Sequence, residues 1–178
     1  MLSAQFVVMA RMLVAITFAG AVAGKIRSRR HFAVFADSLV PLGKRVMDWR
    51  PVAGSVVAAE VTVTVLVALP GTAGVGLAMA SALLACFCVG IGSALRRGRM
   101  VSCRCFGSGG GNLRGTHLVR NAMLGTVAAT GWLVLPHSAA VPLTGAAVLP
   151  ALLLGGFLAL LVIHWDEFVG LFAARDRS

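Results

Sequence analysis

From Thr72 to Leu95 the chain runs for 24 residues without one charged side chain. About 20 apolar residues in helical form cross the hydrocarbon core of a bilayer, so this run alone points to a membrane. Four other stretches come close. They are Ala4 to Ala23, interrupted by Gln5 and Arg11, and Val52 to Leu69, interrupted by Glu60. Next come about Leu118 to Leu135, with Arg120 near its start, and Val141 to Ile163, which holds Pro142 and Pro150. In lipid every backbone N–H and C=O must be satisfied without water, which makes each run a helix. The expected fold is all-α: one integral-membrane helical bundle over residues 1–178, with four to five transmembrane helices. A 12% share of charged residues and a 58% hydrophobic share exclude a water-soluble globule, where roughly 25% of residues are charged. The first run lacks basic residues ahead of it and carries Arg11 inside it, which argues against a cleaved signal peptide.

The net charge of +10 then needs a place. Seven basic residues fall between the first and second runs: Lys25, Arg27, Arg29, Arg30, Lys44, Arg45 and Arg50. Arg96, Arg97, Arg99, Arg104, Arg114 and Arg120 fall between the third and fourth, and Arg175 and Arg177 in the tail. Five spans put all of these on one side, leaving Pro70–Gly71 and Pro136–Ala140 on the other without a basic residue. The positive-inside rule makes the basic side cytoplasmic, in a multi-pass protein of the cell membrane. Charge here reports topology, not nucleic acid, and a chain with no tyrosine offers no stacking platform for bases. Residues of about 30–50 mix Phe32, Phe35, Leu39 and Trp49 with basic residues, the pattern of one or two helices in the headgroup layer broken at Pro41–Gly43.

The basic loop over residues 96–117 carries Cys103-Arg104-Cys105-Phe106-Gly107. Two thiols one residue apart can close a strained, labile disulfide suited to exchange. Arg104 between them favours the thiolate, the attacking species. Half of a metal site and two incidental cysteines are the other readings. Zinc wants four ligands, and only His117 is added nearby, so no metal is expected. Cys86 and Cys88 sit inside the third run, roughly 10–14 Å from its end at 1.5 Å per residue. Positions i and i+2 do not face each other on a helix. Packing is the plain role for this pair, and a buried electron relay to the loop thiols or to a quinone is the sharper one.

A carboxylate near the bilayer midplane is costly unless paired, which singles out Glu60. Arg11, in the middle of the first run, is the expected partner, either as a lock between two helices or with Glu60 handling a proton. Lys25 at the basic end of the first run could reach the same polar cluster, although lysines at span ends usually snorkel to the headgroups.

Taken in order, these features resemble the methylamine utilisation MauE family within the DoxX-like group of small helical membrane proteins. The resemblance rests on Arg11 in the first span, Ala23-Gly24-Lys25 at its end and Pro41 in an amphipathic stretch. It continues with Glu60 in the second span, Cys103-x-Cys105-Phe106-Gly107 after the third and Val119-Arg120-Asn121 opening the fourth. Cys86 and Cys88 stand outside this pattern. The resemblance implies a membrane partner of a thioredoxin-like protein. MauE-type proteins are associated with maturing the disulfide-rich small subunit of methylamine dehydrogenase. It thus favours Cys103 and Cys105 as the exchanging pair and Arg104 as their thiolate stabiliser. Disulfide maturation belongs on the outer side of a membrane, whereas the charge count places the cysteine loop inside. Two other functions fit the same residues: a non-catalytic membrane scaffold for a redox partner, and a small transporter that uses Glu60.

Overall fold

A computed structural model describes residues 2–39, 49–97, 115–138 and 145–165. Among the described residues six α-helices run in chain order: α1 (Leu2–Ile26), α2 (Arg29–Leu39), α3 (Arg50–Ala68), α4 (Ala73–Arg96), α5 (Gly115–Ser138) and α6 (Gly145–Ile163). One 3-10 turn, Pro70–Thr72, joins α3 to α4, and no strand occurs among the described residues. Four helices, α1, α3, α4 and α5, are long and apolar enough to cross a bilayer. The 19 residues of α6 cover about 28 Å at 1.5 Å per residue, close to the hydrocarbon thickness. The protein is an all-α membrane bundle, as the apolar runs require.

Packing fixes the directions. Helix α1 is the hub, lying against α3, α5 and α6, while α4 packs between α3 and α5. Arg11 meets Val67 and Ala68, and Lys25 meets Glu60, so α3 runs back along α1. Gly74 lies beside Leu135 and Cys88 beside Leu118, so α5 runs back along α4. Gly155 lies against Met9 and Met12, and Gly20 against Ile163, so α6 runs parallel to α1. The end of α1, both ends of α2, the start of α3, the end of α4 and the start of α5 therefore share one end of the bundle. That end carries the basic residues of the described segments, except Arg11.

The core is a band of small and branched side chains: Leu13, Val14 and Phe18 of α1, Val63 and Val67 of α3, Leu77, Ala80 and Leu84 of α4, Leu124 and Ala128 of α5. Two glycines set how closely the helices approach. A Cβ on Gly76 would fall 2.6 Å from the Val67 backbone nitrogen, and one on Gly155 would fall 2.6 Å from the Met9 carbonyl oxygen. Helix contact of this kind, backbone against backbone, replaces the hydrophobic driving force that lipid removes. Outside the band, Leu149, Leu153, Leu154, Phe157 and Leu160 form an exposed apolar ridge on α6, as a lipid-facing surface should.

The short amphipathic helix α2 begins at the N-cap Ser28. Its Oγ accepts the His31 backbone N–H at 3.2 Å, and its carbonyl accepts that of Phe32 at 3.1 Å. This satisfies one of the amides that a helix start leaves open. Phe35 and Ala36 on its inner face pack with Ala53 of α3 in a second, smaller core.

Candidate functional site

Three helices converge on a buried ion pair near the basic end. Lys25 Nζ donates to both oxygens of Glu60, at 2.5 and 2.7 Å, and the two side chains are 1% and 2% exposed. The ring of Phe35 lies over the ammonium with its centroid 4.9 Å away. Helix α1 supplies the cation, α3 the anion and α2 the aromatic cover. The third hydrogen of an ammonium facing an aromatic ring adds a cation–π attraction, stronger where water is excluded.

This corrects the expected Arg11–Glu60 pair. Side chains on a helix lean toward its N-terminus. Lys25, near the end of α1, therefore leans down into the bundle, not out to the headgroups. Glu60, on the antiparallel α3, leans up toward the basic end, and the two meet. Arg11, about four turns earlier on α1, lies at the level of the end of α3 instead. There its Nε donates to the Val67 carbonyl and its Nη2 to the Ala68 carbonyl, each at 3.0 Å. Pro70 has no N–H to offer Leu66, and the Thr72 hydroxyl donates to that carbonyl instead, at 2.8 Å. With the Leu69 N–H on Val65 at 3.1 Å, the last four carbonyls of α3 all have donors, as a helix end inside a membrane requires. Arg11 is a helix cap and Lys25 is the counterion.

The start of α5 turns further polar groups inward. His117, Arg120 and Asn121 are buried, the last two at 2% and 1% exposure. Arg120 was counted among the basic loop charges, but its side chain faces the bundle interior, not the headgroups. Its spacing from Leu124 and Ala128, one and two turns on along the same face, is the sequence signal that marks it as inward.

The two intramembrane cysteines are free thiols on different sides of α4. Cys86 is exposed, and Cys88 points to α5 with its Sγ 3.9 Å from the Leu118 carbonyl. Cys103, Arg104 and Cys105 lie outside the described residues, in the connection between α4 and α5. The helices on either side of that connection begin and end at the basic end of the bundle, close to Arg96, Arg97 and His117.

Residues 3–136 match the family model of the methylamine utilisation protein MauE. The chain belongs to the MauE family. The matched stretch takes in α1 to α5, the Lys25–Glu60 pair and the Cys103–Cys105 motif, and leaves α6 beyond it. No curated protein and no solved structure matches the chain. Family membership and the apolar helices together make this a multi-pass membrane protein of the MauE type.

Proposed function

We propose that this MauE-family protein is a thiol–disulfide redox protein of the cell membrane, with Cys103 and Cys105 as its exchanging pair. The observation that carries this reading is the Cys103-Arg104-Cys105-Phe106-Gly107 motif. It lies within the family-matched region and joins two bundle helices at their basic ends. A thiolate of a thioredoxin-like partner attacks the Cys103–Cys105 disulfide, forming a mixed disulfide and freeing one thiol. The partner's second thiolate then closes the partner's disulfide and releases the other. Two electrons pass from partner to membrane protein, and the two cysteines end as thiols. Arg104, with Arg96 and Arg97 nearby in sequence, favours the thiolate leaving group. The physiological setting suggested by the family's name is methylamine utilisation, with a disulfide-rich exported protein as the final recipient.

In this reading the Lys25–Glu60 pair is the frame and not the chemistry. Both groups are fully engaged with each other and sealed by Phe35, which suits a lock between α1, α2 and α3.

A membrane-impermeant maleimide on sealed cells and on inverted membranes, with and without prior reduction, tests the proposal. Cys103 and Cys105 should label only after reduction. Cys103→Ser with Cys105→Ser should abolish oxidation of the partner while leaving its co-purification unchanged. Labelling that ignores reduction, or partner oxidation that survives the double substitution, would replace the redox reading with a scaffold.

A further inference from the structure

Among the described residues Arg11 is the one lysine or arginine that stands away from the basic end. A guanidinium carries five N–H hydrogens. One on Nε and one on Nη2 go to the Val67 and Ala68 carbonyls. The other three, two on Nη1 and one on Nη2, have no acceptor among the described residues. The charge is also only partly offset, because a helix C-terminus brings about half a negative charge against a full positive one. The carboxylate side chains of the whole sequence are Asp37, Asp48, Glu60, Asp166, Glu167 and Asp176. Glu60 is held by Lys25, and Asp37 belongs to α2 at the basic end. None of them falls in α1, or in residues 69–72 and 139–144, which join helices at the end where Arg11 lies.

Arg11 lines a cleft of about 390 Å³ between α1, the end of α3 and α6. Helix α6 rests mainly on α1, and the cleft occupies the gap that this leaves toward α3. Val8, Met12 and Ala15 lie with Arg11 on one face of α1, a wall about 10 Å long, and Val148 and Leu152 complete it from α6. Apart from Arg11, every lining side chain is apolar. Ala68 is the last residue of α3, just before the Pro70–Thr72 turn, so the cationic group sits where a span leaves the hydrocarbon. The volume lies within the range of small-molecule sites.

We infer that this cleft holds an acidic phospholipid of the leaflet at the non-basic end, its phosphate on Arg11 and one acyl chain along Met12, Ala15 and Leu152. Two parallel N–H groups, one from Nη1 and one from Nη2, match two phosphate oxygens, a fork that lysine lacks. The helix cap and the lipid use different hydrogens, so both contacts hold at once. A zwitterionic head would bring an ammonium as well, to an end whose helices and connections offer it no carboxylate. The apolar walls select a lipid over a free anion, since only an acyl chain takes them out of water. Seated there, the lipid ties α6 to the end of α3. The Cys103–Cys105 connection joins helices at the opposite end, so the site does not depend on thiol chemistry.

The test is native mass spectrometry of the full chain released from nanodiscs of equal parts phosphatidylglycerol and phosphatidylcholine. The wild type should keep a bound lipid and prefer phosphatidylglycerol about fivefold, the usual worth of one basic residue at an anionic surface. Arg11→Gln should bring that preference down to about one. Val148→Trp fills the cleft while leaving Arg11 and its two carbonyls in place. It should lose the bound lipid of both kinds, and it serves if Arg11→Gln does not fold. R96Q/R97Q, which removes two exposed arginines from the basic end, should change neither retention nor preference. A wild type that keeps the two lipids in bilayer proportion would overturn the site. So would a preference that survives Arg11→Gln, a lipid that survives Val148→Trp, or an equal loss in R96Q/R97Q. Displacement of the lipid by inorganic phosphate would make it a free-anion site and not a lipid site.

Discussion

Lys25 and Arg11 both belong to α1 and both turn into the bundle, yet one neutralises a carboxylate and the other caps a helix. Lys25 meets Glu60 in a site closed on every side. Arg11 donates to two backbone carbonyls and stays partly open, beside an apolar cleft lined by Val8, Met12, Ala15, Val148 and Leu152. The lesson is that a cation inside a membrane need not imply a partner anion. A helix end facing lipid offers partial negative charge on its carbonyls, enough to hold a guanidinium. The two sites should therefore fail differently when broken.

The largest effect belongs to the ion pair. Lys25→Met removes the counterion and leaves the Glu60 carboxylate buried, which should cost about 3–5 kcal/mol. The unfolding midpoint in detergent or nanodiscs should drop accordingly. Replacing both partners, Lys25→Met with Glu60→Met, should recover most of the loss or exceed the wild type, because no uncompensated charge remains. A Lys25→Met protein as stable as the wild type would mean that the pair does not hold the bundle together.

The capping site should give a smaller and independent loss. Arg11→Met leaves the Val67 and Ala68 carbonyls without donors, a cost of about 1–3 kcal/mol for unsatisfied buried acceptors. No substitution at Glu60 should rescue it. In a double-mutant cycle, Arg11→Met and Glu60→Gln should add to within about 0.5 kcal/mol, as sites without shared partners do. Strong coupling between them would return Arg11 to the carboxylate and erase the contrast between the two cations.

Much of this architecture was open to reading from the residues alone. The uncharged run from Thr72 to Leu95 demanded a membrane helix, and the sorting of basic residues grouped the loops that the fold brings to one end. The pairing inside the bundle was harder. Counting charges in the hydrophobic runs puts Arg11 first as the partner of Glu60 and Lys25 second, because a lysine at a span end usually reaches outward. The lean of helical side chains toward the N-terminus, applied to two antiparallel helices, would have chosen Lys25. Arg120 is a similar case: counting it among the basic residues of one side says nothing of its direction, while its spacing from Leu124 and Ala128 puts it on the inner face. The side on which α6 packs was not legible at all. Its apolarity is nearly uniform, so no stripe marks the buried face, and the contacts of Gly155 with Met9 and of Gly20 with Ile163 settle it.

The smallest effect tests how far the closed site depends on its cover. Phe35→Leu keeps an apolar side chain between α1 and α3 but removes the ring over Lys25 Nζ, so the loss should be about 0.5–2 kcal/mol. That loss has two sources, packing and cation–π attraction, and the background separates them. In the doubly substituted Lys25→Met, Glu60→Met protein the ammonium is gone, so Phe35→Leu should cost only the packing difference. A cost that shrinks in that background assigns the remainder to the ring–ammonium contact and makes α2 part of the electrostatic site. An unchanged cost would make Phe35 a packing residue only. The pair would then be closed by α1 and α3 alone, and α2 would rest on it as any apolar face rests on a membrane bundle.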